Sequence, residues 1–430
     1  MIEWYDFYAY GLVAGLVFGK LYFPQGDAFA GTIAALSTFF LGFVARPIGA
    51  AFFGHYGDRI GRKATLVATL LLMGGSTVLI GLVPTYASIG IWGGVILVVL
   101  RIMQGIGVGG EWGGSVALAS EWSEFNSSRG LAASWPQFGS PLGLLLAVMV
   151  LNIVSHSGSP EWFLAIGWRI PFLLSLILIV VGFYIRVGIL ETPMFARLVK
   201  EGHVHKTPVQ DVVKHHWRTI LLTCLIRSGQ FASFPLFTTF LISYGTSTLK
   251  LTQNFLFSAV LAAACVSLFA TPFFGYLSDR IGRKRMYLIG AATLLVFVFP
   301  YYAMIDTRIP AGIFCAVVLS LPVHDMQYAP QAAFIAESFP ADVRYSGSSL
   351  GYQLASITAG GPAPLLAAWL IHTFHTSLAV SIYLAVLAVI SIVAASMLRD
   401  RSHDDYAATG WDDLSAGITP IRPASVSAAS

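Results

Sequence analysis

Charged residues are scarce in this chain of 430 residues. Asp, Glu, Lys and Arg together make up 11% of it, whereas hydrophobic residues make up 56%. Soluble domains carry charge on about a quarter of their residues, so the composition excludes a soluble globular protein and predicts a protein embedded in a lipid bilayer. Cysteine is scarce as well. The three cysteines, Cys224, Cys265 and Cys315, lie in apolar stretches, which argues against a disulfide framework and a metal site.

A cleavable signal peptide is also lacking. The first apolar segment contains Glu3 and Asp6 and has neither a basic leader nor a small-residue cleavage site. We therefore expect the first membrane helix itself to direct insertion. This helix begins almost at Met1 and leaves little room for a first turn, so we expect the original start to lie further upstream.

The chain does contain one ten-residue motif written twice. The first copy, residues 54–63, reads Gly-His-Tyr-Gly-Asp-Arg-Ile-Gly-Arg-Lys, and the second, residues 275–284, reads Gly-Tyr-Leu-Ser-Asp-Arg-Ile-Gly-Arg-Lys. The copies lie 221 positions apart, and each is followed later in its half by a glutamate, an arginine and a glycine in the same order. An internal repeat at this distance predicts two related halves. We call this motif the decapeptide.

Apolar stretches long enough to cross a membrane recur twelve times. A helix needs about 20 apolar residues to cross a hydrocarbon core of roughly 30 Å. We therefore predict an all-α membrane protein with twelve transmembrane helices in two pseudo-symmetric six-helix bundles. The predicted spans are Ile2–Leu21, Thr32–Phe53, Ala64–Pro84, Ile89–Ala119, Gly130–Val154, Trp168–Val187, Thr219–Tyr244, Phe255–Leu277, Met286–Ile305, Ala311–Ile335, Gly347–Ile371 and Ser377–Leu398.

One long polar segment divides six helices from six. We predict an N-terminal bundle at 1–187, a cytoplasmic central loop at 188–218, a C-terminal bundle at 219–398 and a disordered cytoplasmic tail at 399–430, rich in Asp, Ser, Ala and Gly. Lys and Arg are distributed unevenly, with 18 in loops on one side and four on the other. This asymmetry predicts that both termini are cytoplasmic in a multi-pass protein of the cell (inner) membrane.

Charged residues inside the first-half spans fall on single helix faces. In the fourth span Arg101, Gln104 and Glu111 lie within one narrow arc. In the first span Glu3 and Asp6 have the spacing of a shared face. Charges at membrane depth are costly unless they face a cavity or a partner, which indicates a transport pathway. An internal structural ion pair is the alternative.

Asp6 and Arg101 are expected to pair directly. Protonating the carboxylate would then release the arginine and shift the balance between inward and outward states. Glu111 is the second candidate for carrying the proton. We predict that Glu3, Asp6, Arg101 and Glu111 form the proton-coupling group.

The second half carries different residues. The repeat distance counted from Asp6 leads to Arg227, so a cation replaces a carboxylate. Polar faces in the first, fourth, seventh and tenth spans are typical of a midplane site between two halves. Arginines there could hold a carboxylate by bidentate hydrogen bonds, although a snorkelling Arg227 and a helix-packing His324 are alternatives. The predicted substrate site consists of Arg101, Gln104, Arg227, Gln230, His324, Gln327 and Tyr328.

The decapeptide is predicted to act as a cytoplasmic latch between helices. Its glycines permit a tight turn, its aspartates can accept hydrogen bonds from helix N-terminal amides, and its basic residues can pair with the glutamates that end the fourth and tenth spans. Ordinary positive-inside charge explains a single copy equally well, but less so two matching copies. The predicted gating residues are Gly54, Asp58, Arg59, Gly61, Arg62, Lys63, Glu121, Arg129, Asp279, Arg280, Gly282, Arg283, Glu337 and Arg344.

A glycine-rich segment at residues 105–110 matches the pattern of dinucleotide-binding loops. That interpretation requires a preceding strand and a βαβ unit, whereas this segment lies inside a predicted membrane helix, where glycines indicate close packing. No nucleophile, base and orienting group recur at workable spacing. We therefore expect no enzymatic activity, no metal, and no cofactor other than protons as the coupling ion.

The decapeptide between spans 2 and 3, repeated between spans 8 and 9, resembles the signature of the major facilitator superfamily. Further stretches resemble the metabolite:proton symporters, which include permeases for shikimate, α-ketoglutarate, citrate and proline/betaine. These stretches are Glu3-Trp-Tyr-Asp6-Phe, Arg46-Pro47-Ile-Gly49, Arg101-Ile-Met-Gln104-Gly105, Gly167-Trp-Arg169-Ile-Pro171, Glu191-Thr-Pro193 and Val343-Arg344-Tyr-Ser-Gly347. The N-terminal arm usual in that family is missing, and the tail lacks the coiled coil of its osmosensing members.

The resemblance covers nearly the whole chain and implies alternating access with proton-coupled uptake of a small organic solute. We expect that solute to be a carboxylate. A proton-coupled exporter of the same fold and a transporter-like receptor without turnover are the alternatives. The expected partners are a small-molecule substrate and the lipid bilayer, without nucleic acid, and the expected state is a monomer.

Overall fold

The computed structural model describes residues 1–24, 28–122, 129–188, 208–340 and 343–400. Within these ranges there are twelve long helical segments, which we name α1 to α12, and no strand. They are α1 at 2–22, α2 Ala28–Ile60, α3 Arg62–Leu82, α4 Ile91–Trp122, α5 Arg129–His156, α6 Ile170–Gly188, α7 at 208–247, α8 Gln253–Ile281, α9 Arg283–Asp306, α10 Pro310–Ala336, α11 at 344–374 and α12 Leu378–Met397. The predicted all-α fold with twelve helices is confirmed.

Ten of the described helices qualify as membrane spans by length and hydropathy alone. The other two, α1 and α10, carry half of the polar residues that were predicted to face the interior, among them Asp6 and His324. Both of these side chains are buried. The low hydropathy of α1 and α10 therefore reflects polar groups that point into the protein and away from lipid.

The predicted start of the seventh span, Thr219, lies just after a kink. Residues 208–215, assigned to the central loop, are helical, but the segment Pro208–Ile226 has non-helical backbone angles at His216, with φ −122° and ψ 21°. A short helix in the predicted loop therefore precedes the seventh span. Residues 189–207 and 401–430 lie outside the described residues, so the remaining loop and tail assignments stay predictions.

The repeat extends to backbone geometry. Gly61 and Gly282, which separate α2 from α3 and α8 from α9, both have positive φ, at 119° and 97°. Glycine adopts this conformation without the steric cost that a side chain would incur. Wide π-helical turns also recur in α1 at Ala14–Phe18 and in α7 at Leu236–Phe240, close to the repeat distance. Such turns are frequent at functional sites.

The last residue of each decapeptide caps the final helix of its own bundle. Lys63 Nζ donates to the Val187 carbonyl at 2.7 Å, at the end of α6. Lys284 Nζ donates to the Ser396 and Leu398 carbonyls, both at 2.7 Å, at the end of α12. A cation at a helix C-terminus satisfies unpaired carbonyls and complements the helix dipole. Each decapeptide thus ties its own bundle together at that end.

Glycines bring α2 and α4 into close backbone contact. A Cβ added at Gly105 would meet the Gly42 backbone, and one added at Gly109 would meet the Arg46 backbone. The packing role predicted for the glycine-rich segment is confirmed.

Gly109→Ala is expected to destabilise the folded protein by about 1–3 kcal/mol, because the added methyl group forces two packed helices apart. The matched control is Gly75→Ala in α3, where a Cβ would meet no atom within 4 Å. Thermal unfolding in detergent checks the difference: the melting temperature should fall for Gly109→Ala and stay level or rise for Gly75→Ala. Equal melting temperatures would contradict the packing role.

Candidate functional site

A chain of hydrogen bonds links polar side chains inside the N-terminal bundle. Arg101 Nη1 donates to Gln104 Oε1, and Gln104 Nε2 donates to Thr77 Oγ1 at 2.7 Å. Thr77 then donates to Asp6 Oδ2 at 2.9 Å, while Ser175 donates to Asp6 Oδ1 at 2.5 Å. The predicted direct pairing of Asp6 with Arg101 is therefore wrong. Asp6 faces α3 and α6, and two side chains separate it from the arginine.

This arrangement still connects Asp6 to Arg101. Thr77 Oγ1 has a second acceptor, the Met73 carbonyl at 3.0 Å. The Thr77 hydroxyl has one hydrogen and two acceptors within reach, Asp6 and the Met73 carbonyl, and its oxygen accepts from Gln104. Gln104 in turn accepts from Arg101, so two side chains join Asp6 to the arginine.

Aromatic rings surround the two buried arginines of the N-terminal bundle. The Arg101 guanidinium lies 4.1 Å from the centre of the Tyr10 ring, and that of Arg46 lies 4.4 Å from the centre of the Phe43 ring. Neither makes an ion pair with a carboxylate among the described residues. Cation–π contacts stabilise desolvated guanidinium groups. Glu3 is buried within electrostatic range of Arg46.

Glu111 has a different partner from the one its position suggested. It forms an ion pair with Arg186 of α6, and Arg186 also donates to the Leu66 carbonyl. Arg186 was missed because it lies at the end of a span, where an arginine resembles an ordinary loop cation. For Glu111, the ion pair with Arg186 supports the alternative of a structural ion pair over a role in carrying the proton.

A small cavity lies between the two bundles at the centre of the molecule. The cavity has a volume of about 10 Å³, measured as the space open to the centre of a water-sized sphere. This is room for about one water. Four predicted substrate residues line it: Arg227, Gln230, His324 and Tyr328. The remaining lining residues are Trp4, Phe7, Tyr8, Phe43, Ser140, Phe231, Phe234 and Pro235.

Three predicted substrate residues lie away from this cavity. Arg101 and Gln104 belong to the network inside the N-terminal bundle. Gln327 packs against Gly290 of α9, because it lies on the side of α10 that faces its own bundle. The sequence located the polar helix faces but not which neighbouring helix each side chain meets.

Arg227 occupies an interruption of α7, between the segments that end at Ile226 and begin at Ser228. Its guanidinium is fully buried, 3.2 Å from the centre of the Tyr352 ring and 3.8 Å from that of Phe231. The snorkelling alternative is therefore wrong. Nη1 donates to the Tyr352 carbonyl, but Nε and Nη2 have no acceptor among the described residues. A guanidinium with two unfilled donors beside a cavity can accept a carboxylate.

The two decapeptide aspartates bind helix N-termini across the bundle interface. Asp58 Oδ2 accepts from the Ser346 amide at 3.1 Å and from its hydroxyl at 2.6 Å, in the first turn of α11. Asp279 accepts from the Gly130 amide at 2.8 Å and the Leu131 amide at 2.9 Å, in the first turn of α5. The predicted hydrogen bonding to helix N-termini is confirmed. Each half latches onto the other in the same way.

Basic residues of the second decapeptide pair as predicted with the end of α10. Arg283 lies 2.6 Å from Asp279 Oδ1 and 3.5 Å from Glu337 Oε1. Burial raises the pKa of the Glu337 carboxyl, against the opposing pull of Arg283 and then Arg129. In the first copy, the side chains of Arg62 and Glu121 lie outside the described residues.

The other predicted gating residues have separate positions. Arg59 contacts His55 at 3.2 Å on the exposed surface, and Arg280 lies over Tyr276. Arg344 is buried and donates to the Phe339 carbonyl at 3.3 Å. Gly54 lets the first turn of α11 approach, because a Cβ there would contact Ser346.

Tyr345 is an interface residue that the sequence did not single out. Its hydroxyl donates to the Gly110 carbonyl at 2.5 Å, and its ring fills the space left by the missing side chains of Gly57 and Gly114. The spacing of Gly110 and Gly114, four residues apart on one helix face, was the available signal.

Six hydrogen bonds between described residues join the bundles, and all lie in the half that carries the decapeptides. Besides the bonds of Asp58, Asp279 and Tyr345, Gln137 Nε2 donates to the Tyr328 carbonyl at 3.0 Å. The structure is therefore closed at the decapeptide end.

Asp58→Asn is expected to reduce the maximal transport rate up to about tenfold and leave the KM unchanged. A neutral acceptor bonds more weakly to the helix N-terminus, at a cost of about 1 kcal/mol, and this shifts the balance between conformations. Initial-rate measurements over a range of substrate concentrations separate the two parameters. Ser346→Ala removes only one of the two bonds and should show a smaller effect. A raised KM with an unchanged rate would contradict the latch.

The chain is similar to known proteins over nearly its whole length. A family model described as Major Facilitator Superfamily matches residues 21–361 and 254–428. The inner membrane metabolite transport protein YhjE of Escherichia coli (strain K12) is 38% identical over 407 residues, covering 94% of this chain and 92% of that protein. The shikimate transporter of the same organism is 36% identical over 404 residues, covering 93% and 92%. The proton:xylose symporter XylE, solved with 6-bromo-6-deoxy-D-glucose, superposes with a TM-score of 0.74 at 18% identity, covering 93% and 95%.

Proposed function

The chain belongs to the major facilitator superfamily, and from this premise we propose that it is a secondary active transporter that takes up a small organic carboxylate together with protons. Membrane transport is what its relatives share. The carboxylate, the proton and the direction are our proposal.

The proposal that the substrate is a carboxylate rests on the two hydrogen-bond donors of Arg227 that have no acceptor among the described residues. Leaving buried donors unpaired costs free energy, and a carboxylate from the cavity would satisfy both in a bidentate geometry. Gln230 and Tyr328 line the same cavity and would bind hydroxyl or keto groups. The apolar faces of Trp4 and Phe234 would pack against the carbon skeleton.

Proton coupling is supported by Asp6 and by electrostatics. An anion entering a cell moves against the inside-negative potential, at a cost of about 2.3 kcal/mol per charge for each 100 mV. A proton that enters with the anion cancels this cost. Asp6 is a fully buried carboxylate at membrane depth, held by two hydroxyl groups and linked to Arg101. It is the group that we propose takes up the coupling proton.

Alternating access is supported by the position of the latch. The Lys and Arg distribution favours a cytoplasmic location for the decapeptide end, so a structure closed there is closed to the cytoplasm. The cavity holds about one water, so a solute enters only after the bundles separate at the opposite end. We propose that the solute enters there and leaves when the latch opens.

Uptake of labelled acids into proteoliposomes tests the proposal. The panel contains shikimate, dicarboxylates, aromatic acids and zwitterions such as betaine, each with an imposed pH gradient and with or without a protonophore. We expect the protonophore to abolish accumulation of a carboxylate but to leave counterflow intact. Accumulation of zwitterions alone would overturn the proposal that the substrate is a carboxylate. Accumulation that is insensitive to the protonophore would overturn proton coupling.

A further inference from the structure

A second buried network lies in the C-terminal bundle and ends on one carboxylate. Gln331 Nε2 donates to Gln230 Oε1 at 3.0 Å, and Gln230 Nε2 lies 2.5 Å from His324 Nε2. His324 Nδ1 lies 3.0 Å from Asp325 Oδ1, and Ser267 donates to Asp325 Oδ2. All five side chains are at most 1% exposed. No part of the mechanism proposed above uses Asp325.

The directions of these bonds define one protonation state. Gln230 Nε2 has only hydrogens to offer, so His324 Nε2 must be the acceptor. The ring hydrogen is then on Nδ1 and is donated to Asp325, which accepts a second hydrogen from Ser267. In this arrangement a neutral imidazole donates from Nδ1 to the Asp325 carboxyl group.

A proton added to His324 Nε2 disrupts this series. Nε2–H would then face the Gln230 amide hydrogens, donor against donor. The amides of Gln230 and Gln331 could rotate together, because Gln331 Oε1 has no partner among the described residues and would then accept from Gln230 Nε2. An acceptor in the cavity, which His324, Gln230 and Arg227 all line, satisfies Nε2–H without this rearrangement. The carboxylate of a bound substrate supplies that acceptor.

We propose that the His324–Asp325 couple is a second proton-binding site, located in the substrate cavity, which takes up its proton together with the carboxylate. This inference rests on the proposed function. The proton comes from a hydronium ion, which becomes water, and forms one N–H bond at Nε2 without electron transfer. Asp325 is a positioning residue that fixes the Nδ1–H tautomer.

The surroundings of His324 favour joint binding of the proton and the carboxylate. Among the described cavity residues, the charged or titratable neighbours are Tyr8 from α1, Arg227 from α7 and Tyr328 from α10; α8 contributes the hydroxyl of Ser267. Protonated His324 and Arg227 would be two cations on one cavity wall and would repel each other. A bound carboxylate offsets this repulsion. By linkage, the proton and the anion each increase the affinity for the other.

The test is the pH dependence of carboxylate affinity, measured by counterflow with the pH equal on both sides. For the wild-type protein, affinity should rise as the pH falls. His324→Gln should lose most of this dependence. Asp325→Asn should move the pH at which affinity changes, and Asp325→Glu should restore it. His156→Gln, at an exposed histidine, is the matched control and should retain the wild-type profile.

The number of protons bound with the substrate is a second readout, and it applies to variants that still bind carboxylate. Calorimetric titration with the carboxylate in buffers of different ionisation enthalpy counts the protons bound per substrate. We expect His324→Gln to bind about one proton fewer than wild type. An unchanged proton count and pH profile in His324→Gln would overturn the second site while leaving the proposed function intact. A wild-type protein that neither binds carboxylate nor couples to protons would instead overturn the proposed function.

Discussion

Replacing Arg227 with lysine is expected to raise the KM for carboxylate uptake by about 100-fold or more. Removing one partner of a buried, hydrogen-bonded charge pair costs about 2–5 kcal/mol. Lysine keeps the charge but lacks the planar pair of donors that fits a carboxylate, and it loses the stacking between Tyr352 and Phe231. Initial uptake rates of the labelled acid over a concentration series give the KM.

Arg101→Lys is the informative comparison. Arg101 is also a buried arginine on an aromatic ring, but it lies outside the cavity lining. We expect its KM to stay close to wild type and its proton-driven accumulation to weaken, because its role is in the network with Gln104. If Arg101→Lys raised the KM and Arg227→Lys did not, the carboxylate site would lie in the N-terminal bundle.

Asp6→Asn is expected to abolish accumulation driven by an imposed pH gradient while counterflow persists. Asparagine has nearly the shape of aspartate and keeps an oxygen that accepts a hydrogen bond, but it does not change charge when the pH changes. The bundles can therefore still exchange solute for solute, without the protonation step that drives net uptake. The ratio of internal to external label at steady state, compared with the counterflow rate, checks this result.

Asp306→Asn provides the matched control. Asp306 accepts hydroxyl hydrogen bonds from Tyr244 at 3.0 Å and Ser377 at 2.5 Å, the same number as Asp6, but it lies at the end of α9 and away from the cavity. We expect Asp306→Asn to accumulate solute like the wild type. Unchanged accumulation in Asp6→Asn would remove Asp6 from the coupling step.

Much of the fold could be predicted because its signals are local. Apolar runs identify most spans, and the decapeptide depends on backbone features that both halves need, such as the positive φ at Gly61 and Gly282. The same holds for Asp58 and Asp279, whose partners are helix N-termini that any sequence provides. These features could be read from one copy and tested on the other.

The contacts inside the bundles could not be predicted in this way. Helical periodicity showed that Asp6 and Arg101 lie on polar faces, but not that Asp6 turns to Thr77 and Ser175. Hydroxyl residues are common in membrane helices and give no distinctive signal. Arg186, at the end of the predicted sixth span, was likewise not singled out, although its long side chain reaches back to Glu111.

The repeat distance also explains why the site differs between the halves. It relates Asp6 to Arg227 and Gln104 to Asp325. The N-terminal bundle thus carries its buried aspartate on α1, and the C-terminal bundle carries one on α10. Latch residues must match because both halves close the same end, whereas a cavity that binds an asymmetric solute does not require matching walls.

Proton-coupled carboxylate uptake is tested most directly by measuring acidification inside proteoliposomes that contain a trapped pH-sensitive dye. An external carboxylate is added without an imposed gradient, and liposomes with the Arg227→Lys variant correct for passive diffusion of the undissociated acid. Carboxylate entry should acidify the interior of wild-type liposomes in proportion to the label taken up. Uptake of label by the wild-type protein with no acidification beyond that of the variant would contradict proton-coupled carboxylate uptake.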